Sequence, residues 1–390
     1  MKCSFKDIVL DSRTGLNPRK NFVLGSGNNA YITIKDIYDG KINISEKTDR
    51  VDDDAIQIIK RRSRISAGDI LFVSIGRIGE TAIVYEKDDS WDVNESIFIF
   101  TLNKELIIPE YFCLLFESKD VRNSLTKNSS GSTFKSIKMS QLEKMEFDVP
   151  PLQEQRTIVD RINKSKAIIT LRKTELQKLD ELVKARFVEM FGDVIHNDRN
   201  WEKHLFSDIT TSRLGKMLDA KQQTGEYPFP YLGNANVQWF RFDTSNLNQM
   251  DFNEADQVEF ALEDGDLLVC EGGEIGRCAV WHNQIQPCYF QKAIHRVRCN
   301  KQLVLPDYLA WWFKFNCEHN GFSAIEGAKA TIAHLPGAKL KQLQVVVPPI
   351  ELQNRFIDLV AQLDKSKVVV QKALDEAQLL FDSLMQQYFG

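Results

Sequence analysis

The side chains that could perform covalent chemistry in this chain of 390 residues are scattered. His196, His204, His282, His295, His319 and His334 share no metal-ligand spacing, and the seven cysteines include no Cys-x-x-Cys pair. Neither a zinc site nor a disulfide framework is indicated, and reduced, mostly buried thiols are expected. A Gly-x-x-x-x-Gly-Lys sequence for ATP is absent, as is an Asn-Pro-Pro-aromatic segment of the kind adenine methyltransferases use. No catalytic residue and no metal site are expected, which leaves the chemistry of binding. The basic run Lys60-Arg61-Arg62-Ser63-Arg64 follows the acidic Asp52-Asp53-Asp54, and two Gly-x-x-Gly turns stand at Gly76 to Gly79 and Gly273 to Gly276. A charge run is often only a solvated face, and a glycine pair often only a turn. Glycine also lets another backbone come close.

The elements that carry these groups are written twice. Gly68-Asp69-Ile70-Leu71-Phe72-Val73 lies over Gly265-Asp266-Leu267-Leu268-Val269-Cys270 at an offset of 197 residues, each followed by its glycine turn and a second short strand. This reads as a hairpin. Phe5-Lys6-Asp7-Ile8 lies over Phe206-Ser207-Asp208-Ile209, Tyr31-Ile32 over Tyr231-Leu232, and Asn94-Glu95-Ser96-Ile97 over Gln291-Lys292-Ala293-Ile294. Pro109-Glu110-Tyr111 and Pro306-Asp307-Tyr308 suit the first turn of a helix, and the aromatics after them, Trp311 and Trp312 included, read as core. A period near 200 residues means duplication of a whole module rather than a solenoid.

Each module ends in a short strand and a double proline, Pro150-Pro151 or Pro348-Pro349, the second 198 residues after the first. Both prolines open a helical pattern that closes on Phe191-Gly192 or Phe389-Gly390. The second pattern carries a heptad seam through Phe356, Val360, Leu363, Lys367, Val370, Leu374, Ala377, Phe381, Leu384 and Tyr388. Its counterpart runs through Ile158, Ile162, Ser165, Ile169, Arg172, Leu176, Leu179, Val183, Arg186 and Met190. The seam residues expected to pair are Ile162, Ile169, Leu176 and Val183 with Phe356, Leu363, Val370, Leu374, Phe381 and Leu384. Asp364, Asp375 or Glu376 are candidate partners for the seam arginines. Roughly 35 helical residues extend about 50 Å, too long for the core of one small domain. Such a helix is a strut.

With 43% hydrophobic and 27% charged residues the chain has an ordinary globular composition, large enough for two cores. A net charge of −4 and a pI near 6.0 argue against indiscriminate nucleic-acid binding, though not against a local basic face. The sequence from Met1 to Asp7 has no continuous apolar run and no segment reaches membrane-spanning length, so a cytoplasmic protein without a membrane partner is expected.

The stretch Pro-Pro-Leu-x-Glu-Gln-x-x-Ile-Val from Pro150 to Val159, its relative from Pro348 to Phe356, the Gly-Asp strand with its glycine turn and the duplication resemble the specificity subunit of Type I restriction-modification enzymes, over almost the whole chain. The resemblance implies an α+β fold with pseudo-twofold symmetry: two similar globular target-recognition domains, residues 1–149 and 193–347, separated by spacer helices at 150–192 and 348–390 that pair as an antiparallel coiled coil. Each domain would read one half of an asymmetric, interrupted duplex DNA target, with the helices setting the gap. Two methyltransferase subunits and translocating restriction subunits would be the protein partners, and S-adenosylmethionine, ATP and magnesium would belong to them, with no cofactor held here. The competing classes are a stand-alone methyltransferase or nuclease carrying recognition modules, against which the missing cofactor motifs count, and a coiled-coil adaptor that has lost DNA reading. The second entry motif, Pro348-Pro349-Ile350-Glu351-Leu352-Gln353, reads as shifting the glutamine that the first carries at Gln155, which predicts different capping of the two helices.

Base edges in the major groove are told apart by Arg or Lys on guanine and Asn or Gln on adenine, with Ser, Thr and backbone amides on phosphates. The polar loops of the first module offer Arg13, Arg61, Arg62, Arg64, Ser74, Arg77, Asn94, Thr133 and Lys135. Those of the second offer Arg213, Asn234, Asn236, Gly273, Arg277, Gln291, Lys292, Lys329 and Thr331.

Overall fold

Apolar residues on both faces of the strand after each Gly-Asp turn make it the centre of a sheet buried on two sides. The computed structural model describes residues 1–18, 21–129, 135–219, 223–323 and 334–390. In the first half, β1 (Val9–Thr14), β4 (Ile70–Val73), β5 (Thr81–Ile83) and β7 (Ile97–Leu102) form an antiparallel sheet in the order β1-β7-β4-β5. A smaller sheet runs β3-β2-β6, with β2 (Asn29–Ile32) antiparallel to β3 (Asp49–Val51) and parallel to β6 (Trp91–Val93). Ile70, Phe72, Phe98 and Phe100 face one core, shared with helix α2 (Pro109–Glu117). Leu71, Val73, Ile97 and Ile99 face a second, under the smaller sheet. Helix α1 (Asp53–Ser63), N-capped by Asp52, covers a third cluster with Tyr31 and Val51.

The second half repeats this order. Strands β8 (Thr210–Leu214), β11 (Leu267–Cys270), β12 (Cys278–Val280) and β14 (Ile294–Cys299) form a sheet in the order β8-β14-β11-β12, and β9 (Pro228–Leu232) lies between β10 (Asn248–Asp251) and β13 (Tyr289–Phe290). Leu267, Val269 and Val297 share a core with helix α5 (Pro306–Glu318), where Trp312 is buried, while Leu268, Cys270 and Ile294 face the other side, with Phe260 of helix α4 (Glu254–Phe260). The Gly-Asp motif has a structural job in both. Asp69 accepts the Ser66 amide at 2.9 Å, the Arg13 guanidinium at 2.9 Å and the Thr101 hydroxyl at 2.6 Å. Asp266 accepts the Glu263 amide at 2.8 Å and the Arg298 guanidinium at 2.7 Å. All seven cysteines are free thiols.

Helices α3 (Leu152–Phe191) and α6 (Ile350–Phe389) have 40 residues each. The chain divides into two compact units that cut both helices near their middles: residues 1–174 with 371–390, and residues 175–370. In the first unit Arg161 on α3 donates to the Tyr388 hydroxyl on α6 at 2.7 Å, and the Lys166 ammonium stands 5.6 Å from the Phe381 ring. In the second, Asp180 meets Lys367 at 2.8 Å, and Phe187 and Phe191 meet Phe356 at 5.5 and 5.3 Å. Rising numbers on α3 meet falling numbers on α6, so the helices run antiparallel within each unit. Ile162, Ile169, Val183, Phe356 and Val370 are buried, and Leu176, Leu363, Leu374, Phe381 and Leu384 are half-buried. The interrupted positions are accommodated: Ser165 is buried, and Lys367 pairs with Asp180 across the seam and with Asp364 on its own helix. Burial opposes the charge of Lys367, yet the bonds to Asp180 and Asp364 outweigh it and raise its pKa. Arg186 pairs with Glu189, three residues on along its own helix, rather than with an acid of α6.

One expectation is corrected. Gln155 and Gln353 are not shifted relative to each other; they stand 198 residues apart, in step with the double prolines, and both are fully buried. Gln155 accepts the Ile108 amide at 2.9 Å and donates to the Leu106 and Pro150 carbonyls at 2.7 and 2.8 Å. Gln353 accepts the Leu305 amide at 2.9 Å and donates to the Leu303 and Pro348 carbonyls at 2.9 and 2.8 Å. The motifs differ only around this residue, and the attachment of the two helices is the same. The aromatic endings also match. Phe191 packs on Tyr308 of α5 at 4.9 Å, and Phe389 on Tyr111 of α2 at 5.2 Å.

Candidate nucleic-acid interface

In the first unit four chain turns meet where β1, β4 and β7 present their loop ends. The Arg77 guanidinium donates to the Ile34 and Ile37 carbonyls at 2.6 and 2.9 Å, tying the glycine turn to the turn after β2. The Gly76 amide donates to Lys135 at 3.0 Å, and the Ser74 carbonyl accepts the Ile137 amide at 3.0 Å. Ser74 is buried, and both its amide and its hydroxyl donate to the Ser96 carbonyl. Asn94 accepts the Ser96 amide at 3.0 Å, closing the turn before β7. Gly76 and Gly79 have φ of 74° and 89°, the left-handed region that glycine enters without cost.

The second unit repeats the convergence with other side chains. Arg277 donates to the Asn234 carbonyl at 2.9 Å, and the Asn234 amide group donates to the Gly272 carbonyl at 3.0 Å. Asn236 accepts the Gly233 amide at 2.9 Å and donates to the Asp243 carbonyl at 2.9 Å. The Gln291 amide donates to Leu232, Glu271 to Ala293, and Leu335 to Glu271. His295 is buried beneath this end and donates from Nε2 to the Leu335 carbonyl at 3.2 Å; burial lowers its pKa.

The expected binding residues therefore separate into two groups. Ser74, Arg77, Asn94, Asn234, Asn236 and Arg277 hold the turns to one another. Arg13 is engaged below them by Asp69, Thr101 and the Arg64 carbonyl, and Arg213 is paired with Glu259. The side chains of the other group take no part in holding the turns together. Arg61 and Lys135 have no side-chain partner among the described residues. Arg62 reaches the Thr14 hydroxyl at 3.3 Å, at the loop end of β1, and Arg64, whose φ is 48°, lies 3.5 Å from Asp11. Gly273 and Lys292 are exposed and Gln291 is half-buried. Thr133, Lys329 and Thr331 lie outside the described residues. Arg13 illustrates what sequence reading misses, because its partner Asp69 is 56 residues away. The signal that could have found it was the Asp of the repeated Gly-Asp turn, an acid that both modules place beside a sheet. In the first unit a groove lies against α3, lined by Tyr85, Glu117, Lys166 and Phe381 among others.

Residues 4–181 and 198–377 each match the family model described as Type I restriction modification DNA specificity domain. The chain belongs to this family. A specificity chain of this family serves as the DNA-recognition subunit of a Type I restriction-modification system, and here its domain occurs twice. The Type I restriction enzyme EcoKI specificity subunit of Escherichia coli K12 is 21% identical over 350 residues, 84% of this chain and 75% of that protein. The MjaIX specificity subunit of Methanocaldococcus jannaschii is 26% identical over 217 residues, 52% of this chain and 46% of its own length. Among solved structures, a chain from a study of complex assembly and conformational transition of the type I R-M system superposes with a TM-score of 0.65 at 16% identity, covering 100% of this chain and 97% of that one. The S subunit of M. genitalium gives 0.57 at 14% identity, covering 100% and 96%. These likenesses place the specificity chain in that fold. No helix among the described residues is long and apolar enough to cross a membrane.

Proposed function

We propose that this specificity chain reads one half of an interrupted, asymmetric duplex DNA target with the loop end of each unit, and that the paired helices set the gap between the halves. The observation that carries this reading is the repeated convergence. The same turns are knitted together by the same kind of internal bonds in both units, while the exposed side chains around them differ. A fixed scaffold with variable exposed groups suits two different half-sites. Arg61, Arg62, Arg64 and Lys135 in the first unit, and Gln291 and Lys292 in the second, are the groups assigned to DNA. Phosphate contacts by the arginines and lysines position the protein, and base-edge contacts specify the sequence. The chain itself is non-catalytic. Two methyltransferase subunits and restriction subunits dock on it in the cytoplasm and bring S-adenosylmethionine, ATP and magnesium.

The test is a map of methylated adenines in cells expressing this chain with its neighbouring methyltransferase subunit, against cells lacking the chain. One interrupted, asymmetric motif that depends on the chain is the expected result. An assembled complex that adds no motif would overturn the reading in favour of an adaptor without DNA recognition.

A further inference from the structure

The attachment of each long helix to its module rests on a buried glutamine. Gln155 and Gln353 each bridge three backbone groups: the amide just before the Pro-x-Tyr helix, a carbonyl of the preceding turn and the carbonyl of the first proline. The bridge requires one acceptor and two donors on a single side chain. Only a carboxamide offers that set, and asparagine is one methylene shorter. Glutamate would replace two donors with acceptors facing carbonyls. The neighbouring contacts of α3, Ile158 and Ile162 in the first core, are apolar and therefore non-directional. At the base of each helix the buried directional bonds to the module are those of the glutamine, and farther along α3 the exposed Lys166 also pairs with Glu117 of α2.

That restraint has leverage. A helix of 40 residues is about 60 Å long, so a tilt of about 5° at its base moves its tip by about 5 Å. This exceeds the roughly 3.4 Å that separates successive base pairs. We infer that Gln155 and Gln353 are positioning residues for DNA spacing: each fixes the angle between a recognition module and its helix, and so limits the protein to one gap length between half-sites. The inference rests on the reading of a split target given above.

The experiment uses the complete complex with the methyltransferase subunit. Gln155→Met and Gln353→Met keep the side-chain length and remove all three bonds. Methylation is measured on plasmids carrying the target with the native gap, one base pair fewer and one more. Wild type methylates the native gap; each variant is expected to raise the ratio of neighbouring-gap to native-gap methylation by about tenfold. As second variants, Ile108→Pro and Leu305→Pro remove the amide that the glutamine accepts, at the cost of trading the Ile108 and Leu305 side chains at the core edge for a proline ring. Their φ of −86° and −90° lie close to what proline allows, so these folds survive if a methionine variant does not. A purely structural role would lower methylation at every gap alike, and that result, or an unchanged ratio, overturns the inference. A wild type with no interrupted target defeats the underlying reading and this inference with it.

Discussion

Arg13 and Arg61 are both arginines of the first module, yet their surroundings assign them opposite work. Arg13 is half-buried against Asp69, whose side chain is 3% exposed, while Arg61 is exposed on α1. Removing one partner of a buried pair leaves an uncompensated charge and costs about 3 kcal/mol or more. Arg13→Ala should therefore lower the melting temperature of the purified chain, and an unchanged melt would contradict the pairing. Arg61→Ala and Lys135→Ala should leave the melt alone. Each should weaken duplex binding by the assembled complex several-fold and flatten the log affinity against log salt slope by about 1. A slope identical to wild type removes that residue from the interface. His295 adds a dependence on pH. Its folded pKa is depressed by burial, so its contribution to stability is present above the unfolded value near 6.5 and is lost as pH falls through the folded value. Melting temperature should fall as pH is lowered below about 6.5, and less steeply in His295→Gln; equal slopes would show that other groups carry the effect.

At the scale of elements, the helix pair was the most legible part of the sequence, because a heptad needs only local spacing to be seen. Every seam residue from Ile162 to Leu384 that was expected to pair is buried or half-buried. The loop ends were less legible. Arg77, Asn234 and Arg277 have the residue types that read bases, but their partners are backbone carbonyls about 40 residues away, and no pattern within the sequence announces such bonds. The glutamines show the same limit from the other side: their equivalence was hidden because the residues around them change, while the three backbone groups they bind do not. Leu363→Asp with Val370→Asp places two carboxylates in the seam of the second unit, and burial of a charge there costs several kcal/mol. The pair should abolish methylation of the split target while leaving the strand content seen by circular dichroism intact; retained activity at the native gap would sink the antiparallel pairing. Phe389→Ala should cost about 2 kcal/mol, because a half-buried ring is lost from Tyr111.

For the molecule as a whole, duplication makes a sharp expectation about division of labour. If each unit reads its own half-site, exchanging exposed loop residues of the second unit, such as Gln291 and Lys292, alters one half of the methylated motif and spares the other. A change in both halves would show that the units do not read independently. A weakly acidic chain is compatible with a nucleic-acid partner, because exposed cations such as Arg61, Arg62, Arg64 and Lys135 make a local field that a net charge of −4 over 390 residues does not reveal.

The packing of Phe389 against Tyr111 bears on how the protein is made. Residues 175–370 form a continuous unit, so its core can close as soon as that stretch has left the ribosome. The first unit is built from residues 1–174 and 371–390, and its surface around Tyr111 stays uncovered until the last turn of the last helix has been synthesised. The module translated first is thus finished last, and an unfinished chain carries an open apolar face for as long as the second half takes to appear.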